Sequence, residues 1–165
     1  RDTVVGKFSA IIMAELSDDP KYLLKYFHLR NNSNHEFDSI FGSQFIQESK
    51  LYHYPIKNLI LNRIFNYAVK LILLSDYNDF TNAFKIYKKE SLKKTFPLVS
   101  ESFNIFLEIP LKIISRNLKY KIIPINWSNN RIGESNFKIK ELGSKYFFTF
   151  LYCLLEKSLI LEKNQ

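Results

Sequence analysis

The chain has 165 residues and a formal net charge of +8, and 46% of its residues are apolar. That length fits one domain with a core of useful size, and that composition excludes a disordered chain. A single cysteine, Cys153, excludes an internal disulfide framework and a cysteine-built zinc site.

Phe8 to Met13 reads as a short buried strand that runs into Glu15, Asp18 and Asp19. Pro20 fits the first turn of a helix reaching about Arg30, with Asp18 or Asp19 as its cap. Asn31 to His35 is a polar loop, Phe37 to Phe41 a second strand ended by Gly42, and Gln44 to Pro55 a long loop. Ile56 to Leu74 is a long apolar helix, and Phe80 to Lys88 a strand. Ser100 to Asn117 is helical, with Pro110 expected to kink or split it. Tyr120 to Trp127 is a strand, Ser128 to Lys140 a basic polar loop, and Leu142 to Lys163 a closing amphipathic helix. Strands alternating with helices predict a mostly parallel or mixed sheet under helical cover. Ligands of such sheets sit beyond the carboxyl ends of the strands. Neither repeats nor a linker divide residues 1–165. No stretch has the ~18 uncharged apolar residues of a membrane span, because Asn62, Arg63, Asn66 and Lys70 interrupt the best one. The sequence starts at Arg1, without methionine, a signal peptide or a transit peptide, and reads as an excerpt of a longer polypeptide.

Three stretches carry groups with usable chemistry. After the first strand, Asp18 and Asp19 are accounted for as helix caps, but Glu15 lies before the cap, at the strand tip. Oxygen ligands on such a loop suit Mg²⁺ or Mn²⁺ bridging a diphosphate. In Ser75 to Ser91, Asp79 precedes a strand bearing Asn82 and Lys85; the plain alternative is a loop aspartate and an exposed lysine. In Asn126 to Lys140, Arg131, Gly133, Ser135 and Lys138 follow a strand. A guanidinium, a hydroxyl and backbone N–H groups at a turn hold phosphate oxygens; the alternative is a solvated loop. His28, His35 and His53 show no ligand spacing, and there is no glycine-rich phosphate loop and no nucleophile elbow. The basic charge suits an anionic partner. Without aromatic platforms interleaved with the basic residues, a nucleic acid is not expected.

In this order the stretches resemble the second half of a family 2 glycosyltransferase of the GT-A fold, nearest to the dolichol-phosphate mannose synthase and polyprenyl-phosphate glycosyltransferase branch. "MAELSDDP" resembles the branch's metal-binding D-x-D segment, "FDSIFGSQF" its D-x-V-x-G-S-R-F strand, and "YPIKNLILNRIFN" the helix that follows. "DFTNAFKIYKKES" is similar to D-x-T-x-G-F-R-x-Y, and "RIGESNFKIKELGSKYF" to R-x-G-x-S-K. The resemblance implies an α/β, Rossmann-like nucleotide-diphospho-sugar transferase fold with a mixed sheet and helices on both faces. Residues 1–165 would be the C-terminal part of one catalytic domain, and the N-terminal half that binds base and ribose would be missing. It implies inverting transfer of a sugar from a nucleotide-sugar donor to a polyprenyl phosphate, with Mg²⁺ or Mn²⁺ as cofactor. It also implies a cytoplasmic location at the inner face of a membrane, by peripheral contact. An open sheet edge makes a homo-oligomer an expected form.

By the same resemblance Glu15, with Ser17, would hold the metal. Arg131, Ser135, Lys138, Lys85 and Asn82 would bind phosphate or substrate. Asp79 would lie near the transferred sugar or orient cationic neighbours, and Glu108 would face the sugar on its helix. The departures are Met13 in place of the first D-x-D aspartate, Glu15 for the second, Gln44 and Lys85 for arginines, Ala83 for a glycine and Asn136 for a lysine. They leave a non-catalytic remnant or binding module of the same fold as the alternative.

Overall fold

The structure is a computed structural model that describes residues 6–32, 37–129 and 139–163. In chain order the elements are β1 (Phe8–Ile11), α1 (Lys21–Asn32), β2 (Ser39–Ser43), β3 (Leu51–Tyr52) and α2 (Ile56–Leu73). Then come β4 (Lys85–Lys88), α3 (Lys89–Lys93), α4 (Ile105–Ser115), β5 (Tyr120–Pro124), β6 (Trp127–Ser128) and α5 (Ile139–Lys163).

Four strands form a mixed sheet in the order β1-β4-β2-β5. β4 runs antiparallel to both β1 and β2, whereas β2 and β5 are parallel, with Phe41 opposite Ile122. β1, β2 and β5 therefore all point the same way, and their carboxyl ends share one rim with the start of β4.

Both faces of the sheet are covered. Ile40, Ile86 and Ile123 pack with Tyr26, Phe84 and Ile125, and α1 contributes Tyr22, Leu23 and Leu29 to that side. The alternate residues Phe41 and Tyr87 turn the other way, towards Val69 and Leu73 of α2, Leu107 and Leu111 of α4 and Phe150 of α5. A central strand covered on both faces has no solvent side, and β2 is buried along its whole length.

The expected elements are present with shifted ends. Gly42 lies inside β2 instead of ending it. A β-carbon there would stand 2.8 Å from the Phe84 carbonyl oxygen and 2.9 Å from the Tyr26 hydroxyl, so only glycine fits the approach. The segment Phe80–Ala83 is not strand: Asn82 Oδ1 accepts the Phe84 N–H at 2.7 Å, which folds the chain into a turn. Three short elements went unforeseen, the helix α3 among them. β3 and β6 pair in parallel inside segments expected to be a loop and a longer strand.

Pro110 does not split α4, which runs through it. A proline lacks the N–H that would occupy the carbonyl four residues back. That carbonyl, on Phe106, instead accepts from Lys85 Nζ at 3.4 Å.

Candidate functional site

At the rim, β1 ends at Ile11 and the chain turns back on itself, with Leu16 N–H donating to the Met13 carbonyl at 3.0 Å. Leu16 adopts a left-handed conformation at φ 52°, which costs a leucine about 1–2 kcal/mol. Strain of this kind gathers at functional loops. Beyond it Ser17 and Asp18 are buried, while Glu15 is half-buried. Ser17 is pinned to the far side of the rim, because its carbonyl accepts the Ser128 N–H at 2.8 Å.

Asp18 is the surprise of the site. Asp19, not Asp18, caps α1, its Oδ1 accepting the Lys21 N–H at 2.9 Å. Asp18 is 5% exposed, and its Oδ1 accepts from the side-chain amides of Gln44 at 3.3 Å and Asn82 at 3.4 Å. Burial pushes its carboxyl from an ordinary 3.8 up to about 6; those amides and the Lys85 charge oppose the rise, and Glu15 adds to it. Reading a D-D-P run as a helix start thus accounts for one aspartate and misses the other.

Asp79 lies beneath, 1% exposed, with Oδ2 accepting the Gln44 backbone N–H at 2.9 Å. Lys85 is equally buried, which overturns the picture of an exposed lysine. Its ammonium donates to the carbonyls of Phe80 at 3.0 Å, Asn82 and Phe106. Burial raises the Asp79 carboxyl and lowers the Lys85 ammonium, and each charge partly restrains the shift of the other. With its donors spent on backbone carbonyls, Lys85 offers no open face to a phosphate. It acts as a counter-charge under the carboxylates.

The structure therefore brings Glu15, Ser17, Asp79, Asn82 and Lys85 together with the unforeseen Asp18 and Gln44. Glu108 is placed elsewhere. It is fully buried on α4, where its carboxylate accepts the Val99 and Ser100 N–H groups at 2.9 and 2.8 Å. It also pairs with Lys112 at 2.9 Å. Burial alone would raise its pKa, but hydrogen bonds from Ser100, Val99 and Lys112 outweigh burial and hold it below the ordinary carboxylate value. A carboxylate held that low is a weak base. Arg131, Ser135 and Lys138 lie outside the described residues; the chain enters that segment from β6, at this rim.

Beside Ser17 the rim opens into a cleft of about 370 Å³. Leu16, Ser17, Asp19, Tyr52, Asn126 and Trp127 are among its lining residues, the last three carried by β3, the turn before β6 and β6. Trp127 is backed by Tyr54, with ring centroids 4.5 Å apart.

The site's donors suit a hard divalent cation in one specific way. Ser17 Oγ is buried without a hydrogen-bond partner, and Glu15 precedes it by two residues on the same loop. Oxygen donors of this kind suit a hard cation such as Mg²⁺, which is commonly held by one or two carboxylates with other oxygen ligands. Among the described residues no group of three or more His, Cys, Asp or Glu forms a self-sufficient metal cage. The Met13 side chain supplies no oxygen. The chain matches no protein-family model.

Proposed function

We propose that the chain carries the catalytic rim of an inverting glycosyltransferase of the GT-A, family 2 type, moving a sugar from a nucleotide-diphosphate donor to a polyprenyl phosphate or related anionic acceptor. The observation that carries this reading is the convergence of Glu15, Asp18, Asp79 and Asn82 beyond the carboxyl ends of β1 and β2, beside an open cleft. The mixed sheet with helices on both faces supports it, as does the order of the five motif-like stretches.

The chemistry asks little of a proton acceptor. A phosphate monoester is already anionic at neutral pH, so the work lies in aligning two anions and stabilising the departing diphosphate. Glu15 and Ser17 would hold Mg²⁺ or Mn²⁺, which when bound supplies positive charge to that diphosphate. Asp79 is a positioning residue: it fixes the Gln44 backbone, whose side chain in turn holds Asp18. Asn82 holds Asp18 from the other side. Lys85 balances the buried carboxylates. Arg131 and Ser135 are assigned to the acceptor or donor phosphate, with Lys138 assisting.

The acceptor's membrane is consistent with α2. Ile56, Ile60, Ile64, Tyr67 and Leu71 are all more than half exposed, and the helix carries Lys57, Arg63 and Lys70 with no acidic residue. That is the make-up of a helix lying in a bilayer interface. No helix of the described residues is long and apolar enough to cross a membrane.

The test is transfer from radiolabelled GDP- and UDP-sugars to polyprenyl phosphate in the presence of Mn²⁺, with the protein and its Arg131→Ala variant. Metal-dependent transfer, cut at least about a hundredfold in the variant, is expected from losing a charge-assisted phosphate contact. No transfer and no calorimetric binding of any nucleotide sugar would overturn the assignment.

A further inference from the structure

α2 is apolar over most of its length, yet Asn62, Arg63 and Asn66 all reach the segment that carries Asp79. Arg63 Nη1 donates to the Asn78 carbonyl at 3.2 Å, with its guanidinium 4.3 Å from the centre of the Phe45 ring. Asn62 Nδ2 donates to Thr81 Oγ1 at 3.1 Å and to the Tyr54 hydroxyl at 3.3 Å. Asn66 is 0% exposed, and its Oδ1 accepts the Phe80 N–H. Its Nδ2 donates to the Asn62 carbonyl at 3.0 Å and to Thr81 Oγ1 at 3.1 Å. Those partners fix which way the amide points, because only its oxygen can face a backbone N–H.

A buried amide in an apolar helix carries a desolvation cost that its hydrogen bonds offset. A leucine there would add to the core, but it would leave the Phe80 N–H without an acceptor. That N–H belongs to the peptide group directly after Asp79. The next carbonyl, on Phe80, accepts from Lys85 Nζ at 3.0 Å. Asp79 is therefore held at its backbone by Asn66 and at its carboxylate by the Gln44 N–H at 2.9 Å. Two residues on, Asn82 donates to Asp18. We infer that Asn66 is a positioning residue of the rim, setting from α2 the backbone on which Asp79 and Asn82 stand, and through them the placement of Gln44 and Asp18. The clamp itself is a matter of geometry; that it serves turnover rests on the proposed transferase reading.

The experiment has two arms on the full chain, so that clamp and transferase reading fail separately. The first follows amide hydrogen exchange by NMR. The Phe80 N–H should exchange as slowly as the amides of β2, and Asn66→Ala should speed it at least about tenfold and shift the Gln44 amide resonance. A Phe80 amide that exchanges freely in the wild type, or a Gln44 resonance unmoved in the variant, would overturn the inference whatever the chain catalyses. The second arm compares sugar transfer by the wild type, Asn66→Ala and Thr81→Val at a temperature where circular dichroism shows all three folded. Thr81→Val keeps the branched shape, removes the hydroxyl that Asn62 and Asn66 share, and leaves the Phe80 bond in place. Asn66→Ala should lower kcat about tenfold or more and leave the KM for the nucleotide sugar within about threefold of wild type. Thr81→Val should leave both near wild type. Equal losses in the two variants would overturn the inference, because lost packing between α2 and the segment would then explain both. No transfer by the wild type would overturn the transferase reading and the role in turnover that rests on it, and the first arm would still decide the clamp.

Discussion

Replacing Asp18 with asparagine should stabilise the fold at neutral pH while harming the site. The amide is the same size as the carboxyl it replaces, and its oxygen can still accept from Gln44 Nε2 and Asn82 Nδ2. What the change removes is a charge that burial disfavours: the carboxyl rises from 3.8 to about 6, which is ~3 kcal/mol at 1.36 kcal/mol per pH unit. The sign follows from proton linkage. A group whose folded pKa is raised contributes stability below its unfolded pKa and loses it as pH climbs through the folded value. The wild-type chain therefore weakens between about pH 4 and pH 6 relative to the variant. Asp18→Asn should match wild type near pH 4 and exceed it by up to ~3 kcal/mol at pH 7.5. For a chain of this length that gain is about 6–12 °C in Tm. Paired urea and thermal melts from pH 4 to 8 measure it, and the harm to the site that the proposed transferase reading expects is read by a nucleotide-sugar binding assay. A variant less stable than wild type at pH 7.5, or a gain that does not change with pH, would refute the reasoning.

Other outcomes follow from the packing. Gly42→Ala should cost about 1–3 kcal/mol, read from urea melts, because two of the atoms its methyl meets at 2.8–2.9 Å are the Phe84 carbonyl and a fully packed Tyr26 hydroxyl. Glu108→Ala leaves Lys112, 2% exposed at its side chain, without its nearest carboxylate and with only Glu156 at 3.2 Å. That should cost about 3 kcal/mol at pH 7. Because hydrogen bonds hold Glu108 below its ordinary value of 4.5, its contribution is present above that pH and fades as pH falls through the lowered value. The gap between variant and wild type in melts should narrow in acid accordingly. Ile60→Glu with Ile64→Glu, both at exposed positions of α2, should abolish flotation with anionic liposomes and leave Tm within a few degrees. Unchanged flotation would remove α2 as the bilayer contact.

The order of elements was legible because β2 and α2 carry strong apolar patterns, and periodicity reports burial well when an element is long. The carboxylate at the rim that matters most was not. "SDDP" has the chemistry of a helix start whichever aspartate does the capping, and nothing local says that Leu16 turns left-handed and sends Asp18 inward. The groups that receive it, Gln44 and Asn82, lie 26 and 64 residues away. The burial of Lys85, foreseen neither by its phosphate-binding reading nor by the plain alternative of an exposed lysine, has a similar cause. An alternating strand suggests an outward lysine, but Pro110 leaves the Phe106 carbonyl without a helical donor, and Lys85 supplies one from another element. The pairing of β3 with β6 is two residues long and 76 residues apart in sequence register, too short and too distant to leave a pattern.

The rim also carries an energetic argument about purpose. Asp18, Asp79 and Lys85 are each at most 5% exposed, and burying ionisable groups costs free energy that hydrogen bonds only partly return. The Glu108, Lys112, Arg116 and Glu156 cluster shows how this chain builds an ion network for structure: the carboxylates contact the cations directly, and the network ties α4 to α5. At the rim the arrangement differs. Asp18 and Asp79 are met by amides, Lys85 by carbonyls, and the shifts of all three run toward neutrality. Perturbed groups of that kind, gathered at strand ends beside a cleft, are a pattern of working sites more than of scaffolding. Stability alone would favour asparagine over Asp18; a carboxylate there, beside the strained Leu16 and the unpartnered Ser17 hydroxyl, argues that its charge is needed.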